Sequence, residues 1–391
     1  MNMKNGRNLV VAIYSHPDYY PPTLNAIENL AGQYDTIVVV PRNIISPGWK
    51  YPGNVELITP KRLFTVKELE TAHTLKKIWW FFQFTKRFFS TVVRWKADTI
   101  LIYDSIPVLS YRLISKFIRP PKILWYHNHD VMEPQYIRKW SLSWLGWKSE
   151  KWIFPKLDIF SLPAMERMEC FPMEKLQRKF FFLPNFPSLA FYEKYKNLQK
   201  DLSGNIRILF QGSIGPLHGI EEILEILPRK IEGKNPELWL KGFIGEEYKN
   251  ELMCLAAQFG VKERLIFVPP TSYSQVVENA QNCHIGIGIH KKQDMMNKTL
   301  GTSSNKIYEY AASGLPVLLY DNPHFRAHLG QYNWAFFTDC SKTSLFASLE
   351  KIMLDYGYLS QQARQDFANK LNFEKYFEPV VDYLQLNQDK A

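Results

Sequence analysis

Lys306 and Glu309 lie three residues apart in the run Asn305-Lys306-Ile307-Tyr308-Glu309-Tyr310-Ala311-Ala312-Ser313-Gly314-Leu315-Pro316-Val317, so on a helix they share a face. The preceding Gly301-Thr302-Ser303-Ser304-Asn305 would offer such a helix free N–H groups, hydroxyls and a positive dipole end. The chemistry this suits is the binding of an anion such as a diphosphate at Ser303, Ser304, Asn305 and Lys306. Glu309 adds a carboxylate, which can accept hydrogen bonds from two vicinal hydroxyls at once and so fits a ribose. Gly314 stops the helix, and Leu315-Pro316-Val317-Leu318-Leu319 reads as a buried strand. A lone cation and carboxylate at this spacing also describe an ordinary surface helix with a solvated ion pair. Neighbouring segments must decide between the two.

One such segment is Ile206-Arg207-Ile208-Leu209-Phe210-Gln211-Gly212-Ser213-Ile214-Gly215-Pro216-Leu217-His218-Gly219-Ile220-Glu221-Glu222, an apolar strand, a Gly-rich turn and a helix start. In this layout backbone N–H groups approach phosphates or a sugar closely, although a tight structural turn has the same outline. Together the two segments resemble the C-terminal nucleotide-sugar site of the retaining GT-B glycosyltransferases, the bacterial polysaccharide and lipopolysaccharide enzymes of the glycosyl transferases group 1 type. Members of that family often read N-K-[ILF]-[YF]-E-Y-[ML]-A-x-G-x-P-V at the first segment.

The resemblance implies an α/β protein of GT-B architecture, two Rossmann-like doubly wound domains facing across a cleft. It implies a glycosyltransferase moving a sugar from a nucleotide-diphosphate sugar to a glycan or lipid-linked acceptor with retention, in cell-surface polysaccharide synthesis. Lys306 would hold the donor diphosphate and Glu309 the donor ribose, both counted as catalytic with His129, and Gly212, Ser213, His218 and Gly219 would form the loop around the donor. Val268-Pro269-Pro270 would line the base through backbone groups. Catalysis would be a same-face substitution within an ion-pair-like transition state, with no metal and no cofactor beyond the donor itself. Two departures stand out. Relatives often carry a second Glu where this chain has Gly301, and an Arg and a Lys or Arg where it has Ser213 and His218. Either His218 donates to the phosphate, protonated or neutral, or Lys306 and the backbone carry that load. Alternatives to a transferase are a GT-B epimerase and a non-catalytic nucleotide-sugar-binding or scaffold protein of the same fold.

Alternating strand and helix signals provide the frame for these residues. Strands are expected at Leu9–Tyr14, Thr36–Val40, Thr99–Tyr103, Ile123–Tyr126, Ile159–Ser161 and Phe180–Leu183, then at Ile206–Gln211, Glu237–Gly242, Leu265–Val268, Ile285–Ile289 and Pro316–Leu319. The Pro/Asn entry after Pro184 and the stretch ending at Asn205 place a boundary there, giving domains 1–186 and 187–372. By resemblance, residues 373–391 form a last helix that crosses back to the first domain. In the first half, Ile123-Leu124-Trp125-Tyr126-His127-Asn128-His129-Asp130 begins as a strand and ends in a polar cluster. His129 matches the family's D-x-H-[DE] pattern, which implies a His lining the pocket near the transferred sugar; His127 stands where relatives often have Asp. His16 and Tyr19, in the cluster Ser15-His16-Pro17-Asp18-Tyr19-Tyr20-Pro21-Pro22-Thr23, join His127 and His129 as acceptor-side candidates, although a rigid Pro-rich connector reads the same way. No third distant ligand accompanies His127, His129 and Asp130, so no metal is expected.

Composition sets the outer bounds. With 391 residues, 46% hydrophobic and 22% charged, the chain can bury two cores. Cys170, Cys254, Cys283 and Cys340 show neither disulfide nor zinc spacing and read as core thiols of a reducing compartment. The N-terminus runs directly into the first strand, without room for a signal peptide, so a cytoplasmic protein is expected. A net charge of +10 asks for an anionic partner. In residues 75–96, Lys76, Gln83, Arg87, Ser90 and Arg94 form one helical stripe among aromatics, which suits a helix lying in a membrane interface or a Rossmann helix with one wet face. A second basic-aromatic stretch runs from Arg138 to Lys156. A peripheral position at the inner face of the cytoplasmic membrane follows as an expectation. Nucleic acid is not expected, because no known reader motif accompanies the charge.

Overall fold

The structure, a computed structural model, describes residues 7–44, 49–195, 200–292 and 294–388. Met1–Gly6, which enter the reading of the N-terminus, and residues 389–391 lie outside them. The chain forms two compact units, one of residues 1–184 with 376–391 and one of residues 185–375.

In the first unit β1 (Asn8–Ile13), β2 (Thr36–Pro41), β3 (Val55–Leu57), β4 (Thr99–Tyr103), β5 (Ile123–His127), β6 (Ile159–Leu162) and β7 (Lys179–Phe182) make a parallel seven-stranded sheet in the order β3-β2-β1-β4-β5-β6-β7. Leu9 to Ile13 and Ile37 to Val40 are fully buried aliphatic runs, the pattern a parallel sheet needs when both its faces are covered. β1 pairs with β2 on one side and β4 on the other. The chain therefore departs in opposite directions at this point, opening a crevice at the carboxyl ends of β1 and β4.

The helix Thr74–Trp95 covers this sheet by burying Trp80, Phe81, Phe84, Phe88 and Val92, side chains worth about 1.5–3 kcal/mol each when fully buried. Half of its eight aromatics thus belong to the core. Arg87 is not part of a wet stripe: it is half-buried and its Nη2 donates to the Pro41 carbonyl at 2.8 Å. What the helix leaves outside is Leu75, Trp79, Phe82 and Val93, interleaved with exposed Lys76, Lys86 and Arg94. The helices Thr74–Trp95, Ser105–Ile114 and Leu142–Ile153 pack side by side in one layer.

The second unit holds β8 (Ile206–Gln211), β9 (Pro236–Lys241), β10 (Leu265–Val268), β11 (Ile285–Gly288), β12 (Val317–Tyr320) and β13 (Ala335–Thr338), all parallel, in the order β10-β9-β8-β11-β12-β13. Here the change of direction lies between β8 and β11. The sequence reading lacks β3 and β13, both edge strands of three or four residues whose side chains are largely half-buried, so neither shows the apolar run of an interior strand. Elsewhere strand boundaries move by one residue or so. Cys283 and Cys340 are buried as expected, but Cys254 is exposed and Cys170 only half-buried, so these two are not core thiols.

Candidate functional site

Three strands of the second sheet end at one place. β8 runs into Gly212, β9 into Gly242 and β11 into Ile289-His290. Gly212 N donates to the Lys241 carbonyl at 2.9 Å and Ile214 N to that of Phe243 at 2.8 Å. The two turns touch so closely that a Cβ on Gly242, whose φ is +141°, would stand 1.8 Å from the Gly212 carbonyl oxygen. Gly219, at the other end of the loop, lies against Ile289, where a Cβ would come within 2.8 Å. The loop from Gly212 to Gly219 is thereby clamped over the ends of β9 and β11.

The helix Asn305–Ala312 reaches this point because β11 lacks side chains where the helix lies on it. A Cβ on Gly286 would fall 2.3 Å from the Tyr310 ring, and Tyr310 Oη accepts a hydrogen bond from Gln211 N at 2.8 Å. Asn185 Nδ2 donates to the Ser303 carbonyl at 2.7 Å and the Phe186 ring packs 4.2 Å from that of Tyr308, bracing the helix start. Ser304 is the N-cap residue but makes no side-chain capping bond. Ser303 directs its hydroxyl to the Thr299 carbonyl at 3.0 Å, within its own turn, so the hydroxyl expected to meet an anion is engaged internally.

Lys306 sits with its Nζ 4.3 Å from the centre of the Phe210 ring and 3.2 Å from where a Gly212 Cβ would be. Among the described residues its ammonium has no hydrogen-bond or ion-pair partner. It is enclosed by protein yet keeps some water-accessible surface. Burial pushes its pKa down to about 8, with Glu309 acting in the opposite direction. Glu309 is 5% exposed and accepts from Gln211 Nε2 at 2.5 Å. Burial raises its carboxyl to about 7, opposed by that hydrogen bond and by Lys241 and Lys306. His218 stacks on Phe210 with ring centres 4.9 Å apart, and His290 stands edge-on to His218 at 4.9 Å. His218 Nδ1 and both nitrogens of His290 lack partners among the described residues.

Of the sequence-selected donor residues, Gly212, His218, Gly219, Lys306 and Glu309 are thus associated around the ends of β8 and β11. Ser213 is exposed on the turn and Asn305 is half-buried beside Lys306. At the end of β10 the Val268 carbonyl accepts from Gly242 N at 3.1 Å and so already has a protein partner, while Pro269 is exposed. Gly301 has a steric reason to be glycine: a Cβ there would lie 2.6 Å from His324 Nδ1, so His324 fills the corner into which a Glu would extend. Sequence reasoning missed Phe210, Gln211, Lys241, Gly242 and His290. Each directly ends or follows a strand, and for His290 the change of sheet direction beside β11 was the available signal.

The first unit has its own polar cluster at the ends of β1, β4 and β5. The His129 ring lies between Tyr103 and Tyr20 with ring centres 4.6 and 4.5 Å away. Its Nε2 meets Thr23 Oγ1 at 3.0 Å, its Nδ1 meets Asp104 Oδ2 at 3.4 Å, and Arg167 Nη1 donates to its carbonyl at 2.7 Å. Asp104 takes a φ of +63°, unusual for a residue with a side chain, held by its own N–H to the His127 carbonyl and by the bond its carboxylate accepts from His129 N. His127 is buried, its Nδ1 2.8 Å from Ser161 Oγ, and burial keeps it neutral with a pKa well below the usual imidazole value. At 1% exposure His129 presents its polar atoms to protein rather than outward. From the Ser15–Thr23 segment it is Tyr20 and Thr23 that enter the cluster. Tyr19 is exposed and instead contacts buried His16, 5.0 Å away.

A partly accessible ammonium beside a buried carboxylate, at the strand ends of a parallel sheet, is suited to a phosphorylated ligand with a diol. Comparison with known proteins finds a family match in the same part of the chain. Residues 193–370 match the family Glycosyl transferases group 1. This group 1 segment is just under half of the chain and contains the whole Gly212–Lys306–Glu309 site. No curated protein matches the chain by sequence. Among solved structures it is similar to sucrose-phosphate synthase from Thermosynechococcus elongatus, with a TM-score of 0.67 and 12% identity over 98% of this chain and 100% of that one. HepE of Anabaena, solved in complex with UDP, gives a TM-score of 0.67 and 12% identity over 97% and 100%. WaaG, described as a glycosyltransferase involved in lipopolysaccharide biosynthesis, gives 0.61 and 13% over 96% and 99%. At these identities the likeness establishes the fold: two Rossmann-like α/β domains of the GT-B type, with the group 1 segment in the second.

Proposed function

We propose that the protein is a retaining glycosyltransferase that moves a sugar from a nucleoside-diphosphate sugar to a glycan or lipid-linked acceptor in cell-surface polysaccharide synthesis. The observation carrying this reading is the partnerless Lys306 ammonium at the Gly212 turn, beside buried Glu309, inside the group 1 segment. Lys306, the open N–H groups of its helix and the loop after β8 would stabilise negative charge as the diphosphate leaves, while Glu309 and Gln211 would hold the ribose. Stabilising the leaving group is then the main catalytic contribution. On this reading these cationic and N–H groups would balance the charge of the leaving group, and the proposal calls for no metal. HepE binding UDP and the WaaG description support this donor class and this kind of pathway. In the first unit, the enclosure of His129 favours a positioning role for it, with Tyr20 and Asp130, linked at 3.1 Å, closer to any acceptor.

The test is a thermal-shift series with nucleoside diphosphates, followed by measurement of nucleotide release from nucleotide sugars with and without glycan or lipid-linked acceptors. A ligand bound only by the folded state raises the midpoint, so at least one nucleoside diphosphate should do so. Release should depend on the acceptor. Acceptor-independent conversion of the sugar would mean an epimerase, and binding without any turnover a scaffold.

The first unit also supports a peripheral place at the inner face of the cytoplasmic membrane. No described helix is long and apolar enough to cross a membrane. Exposed Leu75, Trp79 and Phe82 alternate with cations, and in the same helix layer Lys148 lies 4.6 Å over Trp147 and Lys156 4.2 Å over Trp152. Beside them a groove of about 620 Å³ is lined by Arg112, Lys116, Trp152 and Lys156. Apolar rings among cations fit an anionic lipid surface. The protein should float with phosphatidylglycerol vesicles at low salt and stay behind with phosphatidylcholine vesicles, and Trp79→Ser with Phe82→Ser should abolish the difference. Equal partition between the two lipids would count against membrane docking.

A further inference from the structure

His218 and His290 hold a position that their surroundings do not explain structurally. Buried polar groups are nearly always paired, yet among the described residues His290, 6% exposed, has no partner on either nitrogen and His218 has none on Nδ1. The two rings come from different loops, after β11 and after β8, and meet edge-on at 4.9 Å. His218 also stacks on Phe210, the ring that Lys306 overlies. Two imidazoles with orphaned nitrogens, His218 also bonded to the Gly215 backbone, therefore stand beside the Lys306 ammonium at the Gly212 turn. A core histidine would have its nitrogens satisfied, as His284 does with Arg207 N at 2.9 Å and the Asp201 carbonyl at 2.9 Å.

We propose that His218 and His290 are a pair charged by the ligand: both are neutral in the free protein, and the pair takes up one proton when a diphosphate enters beside Lys306. This rests on the reading of the site as a diphosphate site. Without a ligand, burial and the Lys306 charge keep both rings neutral, His218 with a pKa of about 4 and His290 well below the usual imidazole value. Three cations this close would repel one another. A diphosphate reverses the balance, because its charge attracts what Lys306 repels. One proton suffices, since the rings are too near each other for both to ionise readily.

The surrounding charges leave this intact. Glu309, on the Lys306 helix, accepts from Gln211 Nε2 and, with its carboxyl raised to about 7, adds a share of uptake that variants of the two histidines keep, while Lys241 of β9 donates to the Val276 carbonyl at 3.2 Å. Lys291, next to His290, is ion-paired with Glu222 of the helix Ile220–Ile226. The pair would replace the fixed cations found in relatives with one present only while the diphosphate is bound. Loss of the proton as pH rises would loosen the product.

Calorimetric titration with UDP and with inorganic pyrophosphate at pH 7.0, in PIPES and in imidazole buffer, counts the protons exchanged. At this pH Lys306 is already mostly protonated and contributes little. A terminal phosphate with a second pKa of about 6 can only release protons on binding, the opposite sign. The expected result is an uptake of about half to one proton per ligand, reduced by at least half in His290→Gln and in His218→Gln, with affinity about fivefold to tenfold weaker in each; uptake unchanged in both variants would assign the proton to Glu309 and overturn the proposal. Wild-type affinity should fall between pH 6.5 and 8 by up to about tenfold per unit, the slope of a one-proton linkage. UDP binding with no net uptake would overturn the proposal while leaving the donor site standing. No binding of either ligand would overturn both.

Discussion

Replacing Lys306 by alanine is expected to lower turnover by about two to three orders of magnitude, the effect of removing one preorganised stabiliser of developing charge, roughly 2.7–4 kcal/mol. The side chain has the isolation this requires. Its Nζ faces the Gly212 turn and the Phe210 ring, and no carboxylate neutralises it directly, so its field is available to a ligand. Folding gives an independent readout. A buried cation whose pKa is lowered from 10.5 to about 8 disfavours the folded state at neutral pH, where the unfolded chain binds the proton more tightly. Wild type should therefore gain stability relative to Lys306→Ala as pH rises from about 8 towards 10.5. Lys306→Ala should be at least as stable as wild type at pH 7 while nearly inactive. A variant that is active, or one that is inactive because it unfolds, would defeat the assignment; steady-state turnover with thermal melts at pH 7 and pH 10 separates these outcomes.

Gly242→Ala should be the most damaging small substitution in the second unit. The new Cβ would lie 1.8 Å from the Gly212 carbonyl oxygen, and the φ of +141° is itself unfavourable for alanine by about 1–2 kcal/mol. Because the obstacle is backbone, it cannot rotate away; the turn after β8 must move and carry the Lys306 contact with it. A loss of about 3 kcal/mol or more is expected, lowering the melting midpoint by about 6–12 °C for a unit of this size. Nucleoside diphosphate binding should disappear as well. Gly215→Ala in the same loop is the control, since a Cβ there meets nothing within 4 Å and should change stability by no more than about 0.5 kcal/mol. Equal melting curves for the two variants would show that the two turns are not in the close contact described.

Interior strands and the helix carrying Lys306 and Glu309 were legible because the aliphatic runs around Val10, Leu209 and Leu318 have no alternative to burial, and because Gly314 marks where the helix ends. The edges were not: β3 and β13 are short and half-wet, so their sequence pattern is that of a loop. Gly212, Gly219, Lys306 and Glu309 were singled out by local spacing together with a family resemblance, but His290 required knowing that β11 lies next to β8, a fact of sheet order that local patterns do not contain. The same holds for Asp104 and Arg167 around His129. The reading of helix 74–95 shows another limit. Its periodicity reveals an apolar face but not what covers it, and Arg87, which reads as a surface cation, bonds to Pro41 because a neighbouring strand end happens to lie within reach.

The glycine at 286 has a consequence for altering this protein. Because Tyr310 occupies the space of its missing side chain, the distance between helix and strand is set by absent atoms, and the cation at Lys306 stands on a frame with no tolerance for growth. A search for new specificity should therefore leave the seam of Gly212, Gly242 and Gly286 untouched. The freedom lies at the open rim, at exposed Ser213 and at Gly215, where an added Cβ meets nothing within 4 Å, positions where bulk and charge can be exchanged without moving the scaffold. In an engineered library, survivors should concentrate at those rim positions, and the seam should return only glycine.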